Sequence, residues 1–223
     1  MRSTTTLQAR LRNVYWIGGG SGAGKSTIAR RLAAEYGLSV YATDDVMPDH
    51  ARRSTPEDAP ELGRFMHMSM DERWVDRSPE TMLDTFHWYR GEGFELIVED
   101  LLQLPMEPGV VAEGFRLLPR LVGPLLGDPT HAVWLLPTPR FRWAALNSRG
   151  TAWDIPGRTS HPTRAQRNLL ERDRMFTDRL AAETKHAGLP AVEVDTGMSE
   201  AQLYRIVAMM LRPERSGGGR RPS

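Results

Sequence analysis

The sequence predicts an α/β fold, a doubly wound five-stranded parallel sheet with helices on both faces. Three observations lead to this prediction. Short apolar runs alternate with amphipathic segments, and strands that alternate with helices form parallel sheets. A glycine-rich segment joins the first apolar run to the first amphipathic one. The other polar motifs directly follow apolar runs, at the carboxyl ends of strands, where open α/β sheets bind their ligands.

Each element has its own local signals. Apolar, β-rich runs that end in glycine or aspartate are typical of buried strands, and the five predicted strands are 13–17, 38–42, 109–112, 131–136 and 191–195. Apolar residues at helical spacing predict helices over 25–36, 79–104, 117–126, 138–149, 163–187 and 200–211. Gly37 marks a helix end, and Ser78 with Pro79 marks a helix start. Gly91 and Gly93 fall inside the second predicted helix and weaken it.

The chain is interpreted as one domain over residues 1–215, followed by a disordered tail at 216–223. Residues 46–79 are polar, rich in methionine and interrupted by prolines. We expect short helices and loops there, in a cap over the sheet edge that extends through 46–90 and determines specificity. Residues 150–163 are rich in glycine, proline, serine and threonine and have arginines on both sides, which predicts a mobile lid.

The composition excludes several classes of function. The 223 residues are 40% apolar and 26% charged, which is ordinary for a globular protein, and the net charge of +1 gives no field that recruits nucleic acid or a membrane. The absence of cysteine excludes disulfides, a thiol nucleophile and cysteine-ligated zinc. Residues 1–13 alternate polar and basic types, so we expect no secretory leader there, and no apolar run approaches about 18 residues. We therefore expect a cytoplasmic protein. A homodimer is left open.

A phosphate-binding loop follows the first predicted strand. Residues 19–26, GGSGAGKS, match the pattern G-x-x-x-x-G-K-[ST] in full, between a strand and a helix as that motif requires. Its backbone N–H groups and the helix start bind phosphate oxygens, the lysine contacts the β- and γ-phosphates, and the serine hydroxyl binds Mg²⁺. The predicted nucleotide-binding residues of this loop are Gly20, Ser21, Gly22, Ala23, Gly24, Lys25, Ser26 and Thr27.

Carboxylates follow the next two predicted strands. Asp44 and Asp45 close the second strand, and Glu113 ends the third, where a buried carboxylate needs a cation or hydrogen-bond donors. The alternative for Asp45 is a helix N-cap, and the alternative for Glu113 is a salt bridge to an arginine.

Arginines surround the predicted lid, and phosphoryl transfer needs positive charge over the γ-phosphate. They are Arg142, Arg149, Arg158, Arg164, Arg167, Arg172 and Arg174. Each has an alternative as an ordinary helix-surface pair, such as Arg174 with Asp178. The predicted cap contributes His50, Arg52, Arg53, Phe65, His67, Arg73, Trp74 and Trp88. Its aromatic residues form either packing contacts or stacking surfaces for an acceptor, and its histidines lack the spacing of a zinc site.

These features together resemble the P-loop small-molecule kinases, a superfamily that includes nucleoside, nucleotide, shikimate and gluconate kinases and antibiotic phosphotransferases. The resemblance covers about residues 13–211, and the segments 115–119 and 171–174 resemble a bacterial branch without indicating an acceptor. It implies ATP and Mg²⁺ as cofactors. The implied catalytic residues are Lys25, Asp44, Glu113, Arg149 and Arg158, with Asp44 as the base; Arg172 and Arg174 bind the nucleotide, and Ser26 and Glu113 hold the metal.

The sequence therefore predicts an ATP-dependent kinase that phosphorylates a hydroxyl of a small molecule. The acceptor is left open between a nucleoside or nucleotide and a sugar-like, antibiotic or other metabolite. The alternative is an ATPase or nucleotide-dependent switch without an acceptor. A guanine-reading N-K-x-D motif is absent, and the aspartate pair with its polar cap favours a kinase. A nucleic-acid end kinase needs a basic groove, and the near-zero net charge argues against one.

Overall fold

The computed structural model describes residues 4–148 and 154–214 and confirms the predicted parallel sheet. Its strands are β1 (Val14–Gly19), β2 (Ser39–Ala42), β3 (Val110–Glu113), β4 (Ala132–Pro137) and β5 (Ala191–Val194). The strand order is β2-β3-β1-β4-β5, and all neighbours pair in parallel. The strand that leads into the phosphate-binding loop is therefore central, with β3 on one side and β4 on the other.

Helices connect the strands and cover the sheet. They are α1 (Thr4–Arg10), α2 (Lys25–Tyr36), α3 (Met47–Arg53), α4 (Pro60–His67), α5 (Met70–Trp74), α6 (Pro79–Thr85), α7 (His87–Arg90), α8 (Phe94–Gln103), α9 (Pro119–Val122), α10 (Pro139–Ser148), α11 (Pro162–Ala187) and α12 (Glu200–Leu211). Short 3₁₀ turns cover Gly123–Leu125, Pro129–His131 and Pro156–Arg158. Among the described residues, no helix combines the length and apolarity needed to cross a membrane.

Both faces of the sheet are buried, as in other parallel sheets. Successive residues of β1 point to opposite faces because strand side chains alternate. Trp16 packs on one face with Trp134 of β4 and Phe176 of α11. Ile17 packs on the other face with Ile28 of α2, in a cluster that also includes side chains of α12. Two apolar layers therefore hold the carboxyl ends of the strands in fixed positions.

The predicted helix over 79–104 is wrong, because the chain forms three helices there. Phe86 has an extended backbone between α6 and α7, with φ −75° and ψ 108°. Gly91 and Gly93 adopt the left-handed region, with φ of +92° and +70°, which ends α7 and precedes α8. A continuous helix has no left-handed residues, so these glycines turn the chain. The breaks direct the aromatic residues of α7 toward the carboxyl ends of the strands.

Helices α3 to α7 occupy the segment predicted as a cap. Of the segment predicted as a lid, residues 154–163 are described and contain the 3₁₀ turn, while 150–153 lie outside the described residues. The predicted tail at 216–223 also lies outside them. The sequence analysis assigned no element to the amino-terminal helix α1.

Candidate active site

The phosphate-binding loop forms a cradle between β1 and α2. Gly22 and Gly24 have φ of +78° and +85°, a conformation that glycine adopts without strain and that turns successive N–H groups to one side. Helix α2 begins at Lys25, so its positive dipole end faces the same space. The Lys25 ammonium is buried and donates to the Gly20 carbonyl at 2.8 Å. The loop thus has the backbone geometry of a phosphate site.

Two carboxylates reach the cradle from neighbouring strands. Glu113 ends β3 opposite Ile17 of β1 and is only 3% exposed. Burial raises its pKa, while the charge of Lys25 and a hydrogen bond from the Ser26 hydroxyl act in the opposite direction. Asp44, just beyond β2, lines the same cavity, and its negative charge adds to the rise in the Glu113 pKa. The carboxylates predicted at two strand ends therefore lie beside the predicted lysine and serine.

The Ser26 and Glu113 oxygens fit a magnesium ion. Mg²⁺ prefers oxygen ligands and binds proteins through one or two carboxylates together with substrate phosphates and water. A hydroxyl and a carboxylate in hydrogen-bond contact beside the phosphate loop provide such a partial set. In the part of the chain that the structure describes, no cluster of three or more acidic or histidine side chains could hold a metal by itself.

A buried carboxylate holds two arginines that reach the same cavity. Asp173 of α11 accepts from Arg142 Nε at 2.8 Å and pairs with Arg142 Nη2 at 2.7 Å through Oδ2. Its Oδ1 accepts from Arg172 Nη2 at 2.7 Å and from the Tyr89 hydroxyl at 3.3 Å. Burial raises the pKa of Asp173, but the charges of Arg172 and Arg142 and their hydrogen bonds bring it below its ordinary value. The carboxylate is therefore ionised and holds both guanidinium groups.

This cluster, Arg142–Asp173–Arg172, leaves one positive charge uncompensated within it. The Nη1 atoms of both arginines are buried and have no hydrogen-bond partner among the described residues. Arg142 Nη1 lies near the cradle, 3.5 Å from the position that a Cβ on Gly22 would occupy. Buried donors without partners are costly unless a ligand satisfies them, and an anion is the ligand that suits a positive cluster.

The cradle, the carboxylates and the two arginines line one cavity of about 330 Å³. Its remaining side combines an aromatic wall with five other apolar residues. The wall is formed by Phe65, Trp74, Phe86, His87, Trp88, Tyr89 and Phe115, and the other residues are Met47, Leu146, Ile155, Pro156 and Leu169. Residues from the cap and from the loop after β3 thus meet at the site. The cavity has a phosphate-binding end and an aromatic end.

Arginines lie behind the aromatic wall. The Arg116 guanidinium is 4.0 Å from the Trp88 ring centroid, and Arg73 is 4.6 Å from that of Phe65. Burial lowers the pKa of Arg116 to about 10. Burial also lowers the pKa of His87 to about 3, with a further contribution from Arg116 and other nearby arginines, so this ring is neutral at physiological pH.

The other predicted site residues are placed as follows. Arg172 lines the cavity, as do all residues from Ser21 to Thr27. Arg174 lies outside it, in ion pairs with Glu171 and Asp178, and borders a separate groove of about 470 Å³ between α10 and α11. Arg158 is exposed and does not line the cavity. Arg149 lies outside the described residues.

The alternative reading of Asp45 as a helix cap is wrong. Helix α3 has Val46 at its N-cap, with no side-chain cap hydrogen bond, and Asp45 is exposed. The sequence analysis missed Asp173, His87, Phe86 and Phe115 as site residues. Asp173 adjoins Arg172 in the chain, but its second partner is 31 residues away, a distance that no local pattern bridges.

The central strand, the glycine loop and the helix start together have the arrangement of a P-loop fold. A family model described as an AAA domain matches residues 18–85, which include the cradle and Asp44. A solved structure described as deoxyadenosine kinase from M. mycoides with bound dATP is similar at 11% identity and a TM-score of 0.48. The match covers 89% of this chain and 99% of that chain. No curated protein matches.

Proposed function

We propose that this protein is an ATP-dependent phosphotransferase that phosphorylates a hydroxyl of a small molecule. One observation supports this most directly. The phosphate cradle opens onto an enclosed space with its own aromatic wall, and Asp44 and Glu113 line the same cavity. A protein that only hydrolyses or senses ATP needs no such space beside the γ-phosphate position. This arrangement supports a nucleotide phosphate at one end of the cavity and an acceptor at the other.

The transfer is a single displacement. The acceptor oxygen forms a bond to the γ-phosphorus while the bond from that phosphorus to the β–γ bridging oxygen breaks, and ADP leaves. Asp44 accepts the proton of the attacking hydroxyl, since it reaches the cavity from a strand end near the cradle. Mg²⁺, held by Ser26 and Glu113, would neutralise charge on the β- and γ-phosphates.

The cations of the site stabilise the charge that develops on the transferred group. Lys25 is close enough to the loop to exchange its bond with the Gly20 carbonyl for a phosphate oxygen. Arg142 and Arg172 bring donors that have no partner among the described residues, and Asp173 keeps the two guanidinium groups in position. Fixed donors contribute more to catalysis than flexible ones, because they do not reorganise during the reaction.

The assignment of Asp44 can be tested by comparing Asp44→Asn with Asp45→Asn. Asparagine keeps the size of the side chain but removes the charge and the proton acceptor. We expect Asp44→Asn to lower acceptor phosphorylation by about 10²-fold or more, the range of general-base catalysis, with ATP affinity within a few-fold of wild type. Asp45 is exposed and does not line the cavity, so Asp45→Asn should preserve both.

The measurement is product formation by mass spectrometry, with ATP, Mg²⁺ and pools of nucleosides, sugars and other hydroxylated metabolites. ATP affinity is measured separately by calorimetry with a non-hydrolysable analogue. Full transfer activity in Asp44→Asn would make Glu113 the better candidate for the base. ATP consumption that never depends on an added acceptor would contradict the phosphotransferase function and favour an ATPase.

A further inference from the structure

The charges around the aromatic wall restrict what can bind there. The carboxylates among the described lining residues are Asp44 and Glu113, and Glu113 lies beside Lys25 and Ser26 of the cradle. The polar groups of the wall are the neutral imidazole of His87, the indole N–H groups of Trp74 and Trp88, and the Tyr89 hydroxyl, which donates to Asp173. Beyond Asp44, the aromatic end therefore offers neither the several carboxylates that a polyamine ligand needs nor the dense hydrogen-bonding groups that a polyhydroxylated ligand needs.

An aromatic enclosure often binds a cation, but here the rings already have cationic partners. Arg172 lies 5.1 Å from the Trp74 ring centroid and 5.0 Å from that of Phe86. Together with the arginines against Phe65 and Trp88, it satisfies the negative ring faces and adds positive charge to this end of the cavity. A second cation in the cavity would be repelled, whereas an uncharged ring would not.

We propose that the acceptor is a neutral alcohol carrying an aromatic ring, which stacks against the wall while its hydroxyl reaches Asp44. This inference rests on the proposed phosphotransferase function and specifies the substrate class. Phe65, Phe86 and Phe115 are only partly buried, so their rings keep surface for a ligand. Aromatic rings stack in offset or edge-to-face arrangements with a gain beyond their apolar area.

A polar group on the ligand ring has a partner in His87. This side chain is 2% exposed, lines the cavity, and its Nδ1 has no hydrogen-bond partner in the described part of the chain. As a neutral imidazole, it donates or accepts according to its tautomer. A ring nitrogen or carbonyl of the acceptor satisfies this atom. The chemistry is shared by nucleosides and by other aryl alcohols, and the test below separates these sources.

The first arm of the test compares two probes that differ in one ring, 1-phenylethane-1,2-diol and 1-cyclohexylethane-1,2-diol. Their binding is measured by calorimetry with Mg²⁺ and a non-hydrolysable ATP analogue. Stacking on aromatic side chains predicts that the phenyl probe binds about fivefold or more tightly than the cyclohexyl probe. Adenosine and thymidine, measured alongside, show whether a nucleobase is the preferred ring. Choline and gluconate represent the cationic and the polyhydroxylated anionic alternatives.

The second arm uses Phe65→Leu and Phe86→Leu, which keep apolar volume but remove the ring. Both side chains are partly buried, which limits the effect on folding. Each variant should reduce the preference for the phenyl probe to about twofold or less, and should leave the affinity for the ATP analogue within about twofold. Met66→Leu is the matched control, because Met66 adjoins Phe65 in α4 and is 60% exposed. It should behave as wild type in both measurements.

Several outcomes would overturn the inference. These are tighter binding of choline or gluconate than of every neutral aromatic alcohol, no binding of any aromatic probe beside the bound analogue, or an unchanged phenyl preference in both leucine variants. Failure of the proposed function looks different. Aromatic alcohols would then bind with the predicted preference, yet ATP would give no phosphorylated product with any of them.

Discussion

At the scale of single residues, Asp173 shows how a buried carboxylate can serve two cations. It makes no contact that requires a substrate, yet it determines where the Arg142 and Arg172 guanidinium groups lie. Because both arginines have a buried Nη1 with no partner in the described part of the chain, the cluster can bind an anion without rearranging. We therefore regard Asp173 as a positioning residue, and the arginines as the groups that would touch the phosphates.

Replacing Asp173 by asparagine should destabilise the protein. It also distinguishes the contribution of Asp173 to stability from its role in positioning the arginines. Two buried guanidinium groups would lose their shared counter-charge, and breaking a buried ion pair costs about 3–5 kcal/mol. The free energy of unfolding from urea titrations measures this loss. Asp178→Asn is the control in the same helix, since Asp178 pairs with Arg174 at the surface, where such pairs contribute about 1 kcal/mol or less.

Stabilisation of the Asp173→Asn variant by a bound anion is a measurement that a purely structural role of Asp173 would not affect. In Asp173→Asn, the uncompensated arginines should bind pyrophosphate or an ATP analogue in place of the lost carboxylate. The analogue should therefore stabilise this variant by at least as much as wild type, while turnover falls because the donors are no longer held in position. Equal urea midpoints for Asp173→Asn and Asp178→Asn would contradict the account.

At the scale of elements, sequence reasoning succeeded where burial enforces periodicity. The central strands β1, β3 and β4 are buried on both faces and read as nearly continuous apolar runs. All five strands were predicted within two residues of their observed bounds. The helix over 79–104 failed because its apolar residues keep helical spacing across Gly91 and Gly93, and spacing alone does not report a left-handed backbone. The aromatic wall depends on that turn, and the sequence alone did not distinguish its aromatic residues from ordinary packing residues.

The turn between α7 and α8 can be tested with alanine at Gly91. This residue has φ of +92°, and an added Cβ would lie 2.6 Å from Leu121 Cδ1. The left-handed backbone alone costs a non-glycine residue about 1–2 kcal/mol, so Gly91→Ala should lower the free energy of unfolding by at least that amount.

Gly63 provides the opposite case within the same cap. It lies inside α4 without a positive φ, and an added Cβ would meet no atom within 4 Å. Gly63→Ala should therefore stabilise the protein by about 0.5–1 kcal/mol. Urea midpoints of the two variants, compared with wild type, measure both effects. A Gly91→Ala variant as stable as wild type would contradict the described conformation of the turn, and a destabilised Gly63→Ala variant would contradict the open space at Gly63.

At the scale of the whole molecule, the sheet brings distant segments of the chain to one edge. The phosphate loop, Asp44, Glu113 and Arg172 were predicted from motifs that each follow an apolar run or flank the lid, and they do meet in one cavity. Arg158 and Arg174 were predicted with them but do not line that cavity. Their chemical roles remain predictions. The sequence could not show the opposite side of the cavity, because Asp173 and the aromatic wall are assembled by tertiary packing between the cap, α10 and α11.

The same assembly makes the stability of the protein depend on the ionisation of Glu113. Burial raises its pKa above the ordinary value of 4.5, so ionisation costs more in the folded than in the unfolded protein. Below the ordinary value both states are protonated and no penalty exists. As the pH rises, the unfolded state ionises first, and the folded protein loses stability until the pH passes the raised pKa of Glu113.

Glu113→Gln should therefore be more stable than wild type near pH 8 without ligands, and the difference should vanish below the ordinary glutamate pKa of 4.5. Urea unfolding between about pH 4 and pH 8 measures the difference, with Glu95→Gln on the exposed surface of α8 as the control for the general effect of the substitution. Adding Mg²⁺ with an ATP analogue should stabilise wild type more than Glu113→Gln, because the ionised carboxylate then has a metal ion as a partner. If the free energy of unfolding varied with pH in the same way for wild type and Glu113→Gln, ionisation of the buried carboxylate would carry no penalty. If Mg²⁺ and the analogue stabilised both proteins equally, Glu113 would not be a metal ligand.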